Sequence, residues 1–332
     1  MPLEKRIKVN YYFRNPSPSN YSIENVFSTV SEQLSDEVDI YNHYTTRNFD
    51  PLSIFEVSKH EANIYHITGA VNYLALGLPS KSTVITVHDI GHYTETLKGL
   101  KKYIYKELFW RIPLGKTNKI TAISNFTRES LIEYFNIDPD RIKVIYKPVN
   151  PLFKLSEKRI VNSRPVIMQI GAGKNKNIET LLKAVVGLDV HLLLVSKPNE
   201  DIVSTLNALN ISFEFRYNLT ETELYKAYHD CDILYFGSTY EGFGLPVIES
   251  QVVGRPVIIS DIPTLKEIAG ASAFQTELNN SESVRQGIVD LISNYETYLK
   301  YVDLGKKNAS RFSVSTIANQ YLELYNEMME EK

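Results

Sequence analysis

Two glutamates eight residues apart, Glu241 and Glu249, frame the string Glu-Gly-Phe-Gly-Leu-Pro-Val-Ile-Glu. The string follows an apolar, strand-like run, and Pro246 suits the first turn of a helix. Backbone N–H groups at such a helix start, here at Gly244 and Leu245, can bind a phosphate without a basic side chain. Glu241 would then face sugar hydroxyls, and Glu249 could accept both hydroxyls of a ribose. The alternative is a loop charge at Glu241 and a helix-dipole role for Glu249. The length of the string, which continues into Gly-Arg-Pro-Val, favours the functional interpretation.

A second glycine turn, Gly171-Ala-Gly173-Lys174-Asn-Lys176-Asn177, lies between a strand-like and a helical segment. Glycines and lysines at a helix start predict another phosphate site. The alternative is a solvated basic turn. A dinucleotide-binding fingerprint is less favoured, because Lys176 occupies the position of its third glycine.

A histidine, His88, directly follows the strand-like run Val-Ile-Thr-Val. At the carboxyl end of a parallel strand its side chain would reach the region where ligands bind in doubly wound sheets. A structural role is the alternative, and His92 is a weaker candidate nearby.

Two Asp-x-Asp strings could in principle hold a divalent ion, Asp138-Pro-Asp140 and Asp230-Cys-Asp232. Both stand immediately before predicted strands rather than after them, so we interpret them as turn residues. We expect no metal ion and no cofactor.

Apolar strand-like runs alternate with helical patterns along the whole chain, which predicts parallel sheets covered on both faces. The pattern runs once and restarts after a proline-containing segment at residues 147–165, a plausible interdomain linker. The predicted strands are Ile7–Tyr12, Val38–Tyr41, Asn63–Ile67, Val84–His88, Ile120–Ile123, Lys143–Tyr146, Val166–Ile170, Val190–Val195, Ile211–Phe215, Ile233–Phe236 and Val257–Ile259. The predicted helices include Ser22–Leu34, Arg128–Phe135, Asn177–Val186, Thr222–Tyr228 and Val247–Val253.

Length and composition agree with two globular domains. The chain has 332 residues, a net charge of −3 and one cysteine, Cys231. The charge gives no indication of nucleic-acid binding, and a single thiol excludes an internal disulfide framework. The N-terminal residues lack a signal-peptide core, and no run approaches a membrane-spanning length. We therefore expect a cytoplasmic protein.

Residues 98–119 are locally basic and carry interleaved aromatic and aliphatic side chains. The segment could dock on anionic lipid headgroups at the membrane surface. It could equally pack its aromatics inward and leave its lysines in water. The basic residues are Lys98, Lys101, Lys102, Lys106, Arg111, Lys116 and Lys119, against the single acid Glu107.

The string from Glu241 to Glu249 resembles the Glu-x7-Glu signature of the family-4 retaining glycosyltransferases, which have the GT-B fold of two Rossmann-like domains facing across a cleft. The glycine turn at residues 171–177 resembles the first loop of that family's donor domain, and residues 220–234 resemble the helix and strand before its signature. Residues 121–127 and the segment from Phe312 onward are also similar to family elements. The family's arginine in the glycine turn is absent here, with Lys174 the nearest substitute. Its N-terminal Gly-Gly is replaced by the loop from Asn15 to Glu24.

The resemblance implies a metal-independent, retaining transfer of a hexose-type sugar from a nucleoside-diphosphate sugar to a glycan or lipid-linked acceptor in surface polysaccharide or lipopolysaccharide synthesis. It implies an acceptor-binding domain at residues 1–150, a donor-binding domain at 151–312 and a C-terminal helix at 313–332 that crosses back to the first domain. The implied catalytic residues are Glu241, His88 and Lys176. The implied donor-binding residues are Gly171, Gly173, Lys174, Lys176, Phe243, Gly244, Leu245 and Glu249.

Other activities remain open. One is a sugar-nucleotide epimerase or phosphorylase on the same fold, and another is a catalytically silent sugar-nucleotide-binding subunit. A two-lobed solute-binding protein is less favoured, because it would normally need an export signal.

Overall fold

The computed structural model describes residues 6–15, 22–47, 49–156 and 164–331. The chain divides into two compact units: unit 1 is Met1–Pro148 with Ser313–Lys332, and unit 2 is Val149–Phe312. Most of the N-terminal loop discussed above, at residues 16–21, and part of the predicted linker, at 157–163, lie outside the described residues.

Unit 1 is built on a six-stranded, all-parallel sheet with the strand order β2-β1-β3-β4-β5-β6. Strands β3 and β4 are completely buried, as expected for a sheet covered on both faces. The strands are β1 Ile7–Phe13, β2 Val38–Tyr44, β3 Ile64–Ile67, β4 Thr83–Val87, β5 Lys119–Ala122 and β6 Ile142–Val144.

Unit 2 repeats this plan with the strand order β12-β11-β10-β7-β8-β9, again all parallel. Its central strand β7 pairs with β10 on one side and β8 on the other, so the loops after these strands emerge side by side. The strands are β7 Val166–Ile170, β8 His191–Val195, β9 Ser212–Arg216, β10 Ile233–Phe236, β11 Val257–Ser260 and β12 Phe274–Thr276.

Thirteen α-helices lie within the described ranges, and several begin at a residue whose side chain caps the helix. Thr220, for example, forms a capping box with Glu223 at the start of α8. The helices are α1 Ser22–Gln33, α2 Ser53–Glu56, α3 Gly99–Tyr105, α4 Ile112–Lys116, α5 Asn125–Phe135, α6 Ile178–Val185, α7 Glu200–Ala208, α8 Glu221–Asp230, α9 Leu245–Val253, α10 Pro263–Ala269, α11 Ser281–Ser293, α12 Tyr295–Ala309 and α13 Val314–Glu330. A π-helical stretch, Lys106–Arg111, joins α3 to α4.

The last helix, α13, belongs to unit 1 and buries its apolar face against α1 and the sheet. A buried polar chain fixes it there: the Tyr325 hydroxyl lies 2.7 Å from His66 Nδ1 and 3.0 Å from the Tyr11 hydroxyl. Burial lowers the pKa of His66 to about 3, so this imidazole is neutral at physiological pH. Its Nε2 contacts the Thr86 hydroxyl at 2.7 Å. The C-terminal helix is therefore an integral part of the first unit's core.

The prediction of parallel sheets alternating with helices is confirmed, and each predicted strand overlaps an observed one. Strand β12, Phe274–Thr276, was not predicted. Among the helices described, none is both long and apolar enough to cross a lipid bilayer.

Candidate functional site

Two loops of unit 2 are fastened together at the carboxyl ends of neighbouring strands. The loop after β7 contributes Asn175, whose carbonyl accepts from the Thr239 N–H at 2.8 Å and whose side-chain amide donates to the Tyr240 carbonyl at 3.1 Å. Asn177, in the left-handed conformation at φ 53°, donates to the Gly237 carbonyl at 3.1 Å. These bonds fix the glycine turn against the segment that leads to Glu241.

A lysine and a glutamate meet across these two loops. Lys176 Nζ donates to Glu241 Oε1 in a partly buried ion pair and also lies 4.9 Å from the centre of the Phe236 ring. The lysine side chain passes over Gly171, where φ is +97° and an added Cβ would lie 2.8 Å from Lys176 Cε. Glycine is required here for both its backbone conformation and the close approach.

Helix α9 begins directly after the second loop. Gly244 precedes it at φ +111°, where an added Cβ would lie 2.9 Å from Leu265 Cδ2, and no side chain caps the helix. Pro246 occupies the first turn and has no N–H, and the Val247 N–H already donates to the Gly244 carbonyl at 3.0 Å. The backbone N–H groups of Gly244 and Leu245 are therefore the ones that remain to bind an anion at this helix start.

Phe243, expected at the donor site, is only 3% exposed, and its ring packs edge-on against Phe312 at 5.8 Å. Its side chain therefore supports the turn from the core. Behind Glu241, the Thr264 hydroxyl donates to the Glu241 carbonyl at 2.9 Å, which holds the backbone of this residue against α10.

Glu249 lies inside α9 and receives a hydrogen bond from the Tyr228 hydroxyl of α8 at 2.7 Å. Burial raises the pKa of Glu249 to about 7; the hydrogen bond from Tyr228 opposes this rise, and the charge of Glu221 adds to it. At neutral pH the carboxyl group is therefore poised between its two protonation states, as is common for functional carboxyl groups.

A cavity of about 580 Å³ opens beside the glycine turn. Three of the predicted donor residues, Gly171, Gly173 and Lys174, line it, as does Asn177. Another part of its wall comes from residues 196–199, Asp201 and Ile202, which follow β8 and lead into the first turn of α7. Its volume falls within the range of small-molecule sites.

His88 lies in unit 1, immediately after β4, and is 9% exposed. Its Nε2 lies 2.6 Å from the Thr68 carbonyl, and the imidazole packs so closely on Gly69 that an added Cβ there would lie 2.8 Å from His88 Cδ2. Burial lowers the pKa of His88 well below its usual value, with a smaller effect from Lys147, so the ring is neutral.

The aspartates of the two Asp-x-Asp strings make hydrogen bonds and an ion pair within the protein. Asp138 caps a short turn by accepting from the Asp140 N–H at 3.1 Å. Asp230 pairs with Arg216 at 2.7 Å, and Asp232 accepts from the Val166 N–H at 2.8 Å.

The basic segment 98–119 folds into α3, the π-helical stretch and α4. Trp110 is buried, whereas an apolar row is exposed on the same segment. The members of this row are Leu100, Ile104, Leu108 and Ile112, spaced four residues apart.

Sequence reasoning missed several residues that support the site. Asn175 and Asn177 connect the two loops, and Tyr228 holds Glu249. Asn177 could have been suspected, because asparagine before a helix tolerates the left-handed conformation. No sequence spacing could have paired Tyr228 with Glu249, because that contact depends on how α8 packs against α9.

Two family models match the chain. Residues 38–152 match the model described as Glycosyltransferase Family 4, and residues 154–308 match the model described as Glycosyl transferases group 1.

Curated relatives are similar at low identity. An O-antigen chain mannosyltransferase, RfbU, from Salmonella typhimurium is 26% identical over 67% of this chain and 66% of its own length. An N-acetylgalactosaminyltransferase from Campylobacter jejuni, named for a diphospho-undecaprenol-linked substrate, is 24% identical over 62% of this chain and 60% of its own. The chain thus spans less than two thirds of the length of these relatives.

Solved structures share the architecture over nearly the whole chain. A glycosyltransferase from Rickettsia africae superposes with a TM-score of 0.77 at 18% identity, covering 99% of this chain and 100% of the other. Anabaena Alr3699/HepE, solved in complex with UDP and glucose, gives 0.78 at 16% identity over 97% and 100%. Together the two models cover most of the chain, which therefore belongs with the glycosyltransferases: a family-4 domain is followed by a group-1 domain, and the chain has the GT-B fold of two Rossmann-like domains.

Proposed function

We propose that this chain is a retaining, metal-independent glycosyltransferase that moves a hexose-type sugar from a nucleoside-diphosphate sugar to a glycan or lipid-linked acceptor in surface polysaccharide or lipopolysaccharide synthesis. The names of the relatives support the substrate class, since they include an O-antigen mannosyltransferase and a transferase named for an undecaprenol-linked substrate. The complex of Anabaena HepE with UDP and glucose supports a sugar-nucleotide donor.

The observation that carries the proposal is the ion pair between Lys176 and Glu241, built from two loops at adjacent strand ends. A lysine there can neutralise a diphosphate, and a carboxylate beside it can accept hydrogen bonds from sugar hydroxyls. In the unliganded site the two groups satisfy one another. An incoming diphosphate takes over Lys176 and frees Glu241 for the sugar.

Glu249 completes the donor site as the ribose ligand. Tyr228 already donates to Oε2, so this contact fixes the orientation of the carboxylate while Oε1 is available to a ribose hydroxyl. Ionised carboxylates form stronger hydrogen bonds than neutral ones. Donor affinity should therefore rise with pH through the pKa of about 7.

In the proposed transfer no side chain of the protein forms a covalent bond to the sugar. The bond between the anomeric carbon and the donor phosphate oxygen breaks, and a bond from the same face to the acceptor oxygen forms. The acceptor proton passes to the departing diphosphate. Lys174, Lys176 and the Gly244–Leu245 amides would stabilise the charge that develops on that diphosphate, Glu241 would orient the sugar, and neutral His88 would contact the sugar or acceptor.

Unit 1 would hold the acceptor, and the segment 98–119 would dock on the cytoplasmic face of an anionic membrane. The exposed apolar row from Leu100 to Ile112 is flanked by exposed Lys98, Lys101 and Arg111. Apolar side chains with basic neighbours are the pattern of interfacial helices. Cosedimentation of Leu100→Glu with anionic vesicles should fall relative to wild type, while Leu299→Glu, an equally simple change at an exposed leucine of unit 2, should bind as wild type.

The donor site is tested by calorimetry in metal-free buffer against UDP, GDP and dTDP with their sugars. We expect one nucleotide to bind selectively and Glu249→Ala to weaken it by about tenfold to a hundredfold. Glu282→Ala, at an exposed glutamate of α11, is the control. If no nucleotide binds to the folded protein, the transferase proposal fails.

Product analysis separates the transferase from an epimerase or phosphorylase. Incubation with donor and a glycan acceptor should give a new glycoside of the donor's anomeric configuration, seen by NMR. A change of the donor sugar without any acceptor would instead indicate an epimerase.

A further inference from the structure

Each of the two sheets ends in two edge strands, which have a neighbouring strand on one side only. Natural sheets protect such edges by keeping the strands short or by placing charged side chains on them. Strands β6 and β12 have three residues each, and β9 carries Glu214 and Arg216. Strand β2, Val38–Tyr44, has seven residues, no proline or lysine and one acidic side chain, Asp39. Among the edge strands of the described chain, β2 is therefore the least protected.

The backbone groups that face the outer edge of β2 can be identified. Just beyond the strand, the Thr45 N–H donates to the Phe13 carbonyl of β1 at 3.0 Å. Because successive residues of a strand direct their N–H and C=O groups to opposite sides, those of Ile40, Asn42 and Tyr44 point away from β1. In the described chain no strand lies beyond them. These three residues therefore present donors and acceptors that a further strand can use.

Exposed aromatic side chains lie on both faces of the sheet at this edge. Tyr41 is 50% exposed and Tyr44 is 49% exposed. The Tyr44 ring stacks on Phe13, whereas His43, on the same face as Tyr41, stacks on Tyr12. Tyrosine rings beside open backbone groups favour pairing with another strand, because both rings would then leave water.

Strand β2 is complementary to a second copy of itself. In an antiparallel pair, residues that face the partner strand lie opposite one another and exchange hydrogen bonds. A two-fold axis at Asn42 sets Asn42 opposite Asn42 of the second copy and Ile40 opposite its Tyr44. All the outward-facing residues of both copies are then used, with about six backbone hydrogen bonds. Tyr41 lies opposite His43 of the second copy, and aromatic cross-strand pairs of this kind stabilise sheets.

The residues that flank β2 have opposite charges in this register. Glu37, before the strand, lies opposite Arg47 of the second copy, and the two-fold axis repeats the pair. Both side chains are exposed, and neither forms an ion pair with another described residue. A shift of the register by two residues loses this charge pair and can place Tyr44 opposite Val38, whose N–H already donates to the Leu34 carbonyl at 2.9 Å. Charge and hydrogen bonding therefore favour the register centred on Asn42.

We propose that two copies of this chain pair through β2 and form a two-fold symmetric dimer with one continuous sheet across both copies. Antiparallel neighbours keep the same face of a sheet on the same side. Helices α1 and α13 pack on one face of the unit 1 sheet, and the segment 98–119 packs on the other through Trp110 and Leu114. The dimer therefore carries both copies of segment 98–119 on one side, where two weak membrane contacts would add to one another.

The oligomeric state of the full-length chain is measured by sedimentation equilibrium at about 1 to 200 µM protein. We expect a monomer–dimer equilibrium with a Kd in the micromolar range, since an interface built on one strand pair is small. Asn42→Pro removes an outward N–H without breaking a hydrogen bond to β1, and it should weaken dimerisation at least about tenfold. The matched control, Asn42→Thr, keeps the N–H and should dimerise as wild type does.

Charge exchange tests the register at exposed positions, and it keeps the proposal testable if Asn42→Pro does not fold. Glu37→Arg and Arg47→Glu each replace two attractive contacts of the dimer by two repulsive ones. Each variant alone should dimerise at least about threefold more weakly than wild type. In an equimolar mixture of the two variants every such contact is attractive again, so mixed dimers should form with the affinity of wild type.

A disulfide locates the two-fold axis. The Cα atoms of a hydrogen-bonded antiparallel pair lie about 5.5 Å apart, which is within the range of disulfides. Asn42→Cys should therefore form a covalent dimer under mild oxidation. Tyr44→Cys, at an exposed position of the same strand, lies away from the axis and should stay largely monomeric on a non-reducing gel. The native Cys231 is buried and does not compete.

The proposal is overturned if the wild type stays monomeric over the whole concentration range, which would leave the edge to an extended segment of another protein. It is also overturned if folded Asn42→Pro dimerises as wild type does, if the mixed charge variants recover no dimer, or if Tyr44→Cys cross-links as readily as Asn42→Cys. Nucleotide calorimetry on Asn42→Pro should match wild type, because the proposed donor contacts lie on unit 2. Loss of the dimer and loss of the transferase proposal are thus separate results.

Discussion

Replacing Glu249 by glutamine should make the protein more stable at neutral and alkaline pH while it damages donor binding. Glutamine keeps the shape of the side chain and can still accept the hydrogen bond from Tyr228. It removes only the charge. Because burial is the main cause of the raised pKa, the ionised carboxylate is what the folded site disfavours.

The magnitude follows from the shift in the pKa of Glu249 from 4.5 to about 7. Below pH 4.5 this group is protonated in both folded and unfolded chains, and glutamate behaves like glutamine. Between pH 4.5 and about 7 the unfolded chain releases the proton that the folded chain retains, so the wild type loses stability as pH rises. Above about pH 7 the difference is constant, and Glu249→Gln should exceed wild type by about 3 kcal/mol in unfolding free energy.

The assay must report on unit 2, and the single tryptophan lies in unit 1. Hydrogen exchange of peptides from α8 and α9 in increasing urea, read by mass spectrometry at pH 5, 6, 7 and 8, meets this need. The gap between variant and wild type should widen with pH and then level off. A gap that is the same at all four pH values would refute the argument that a buried, ionisable Glu249 is held at an elevated pKa.

Three further outcomes are expected. Tyr228→Phe removes the hydrogen bond that lowers the pKa of Glu249, so the pH midpoint of nucleotide affinity, measured by calorimetry, should move upward by about one unit; an unchanged midpoint would contradict the assigned contact. Gly171→Ala should reduce the free energy of unfolding by about 1–2 kcal/mol and weaken nucleotide binding, because the added Cβ would displace the Lys176 side chain. The control, Gly187→Ala, is also at positive φ but in open space, so it should reduce stability alone. Equal nucleotide binding by both variants would count against the packing of Lys176 over Gly171. Arg255→Met should lower the free energy of unfolding, measured in urea, by about 3 kcal/mol or more. The reason is that this fully buried guanidinium donates to several backbone carbonyls of unit 2. A decrease of less than about 1 kcal/mol would show that those hydrogen bonds are dispensable.

The strands could be predicted because each is an apolar run, and a sheet buried on both faces requires such runs. Strand β12 escaped prediction, since Phe274-Gln-Thr276 is short and mostly polar and becomes a strand only through its pairing with β11. The π-helical stretch Lys106–Arg111 could not be predicted either, because the sequence periodicity of a π-turn differs little from that of an α-helix.

Parts of the candidate site could be predicted where residues of suitable chemistry lie next to glycines that indicate a turn before a helix. Glycine turns before helices marked Gly171 and Gly244, and both adopt positive φ. The ion pair between Lys176 and Glu241 joins residues 65 positions apart, so it follows only once β7 and β10 are known to be neighbours.

The role of Arg255 in the Gly-Arg-Pro-Val string was equally hidden. Its guanidinium is fully buried and serves the protein's own carbonyls. Arg255 therefore has a structural role. The sequence alone could not distinguish this role from ligand binding.

The hydrogen bonds that join residues 175–177 to residues 237–240 have a consequence for how this protein can be re-engineered. The two loops therefore form one structural unit. An insertion in either loop would break the contacts of Asn175 and Asn177 and move Lys176 away from Glu241. A graft intended to change the donor must therefore transplant both segments from the same parent. The wall at residues 196–202, which lies outside this interlock, is the place where loop length and sequence can vary independently.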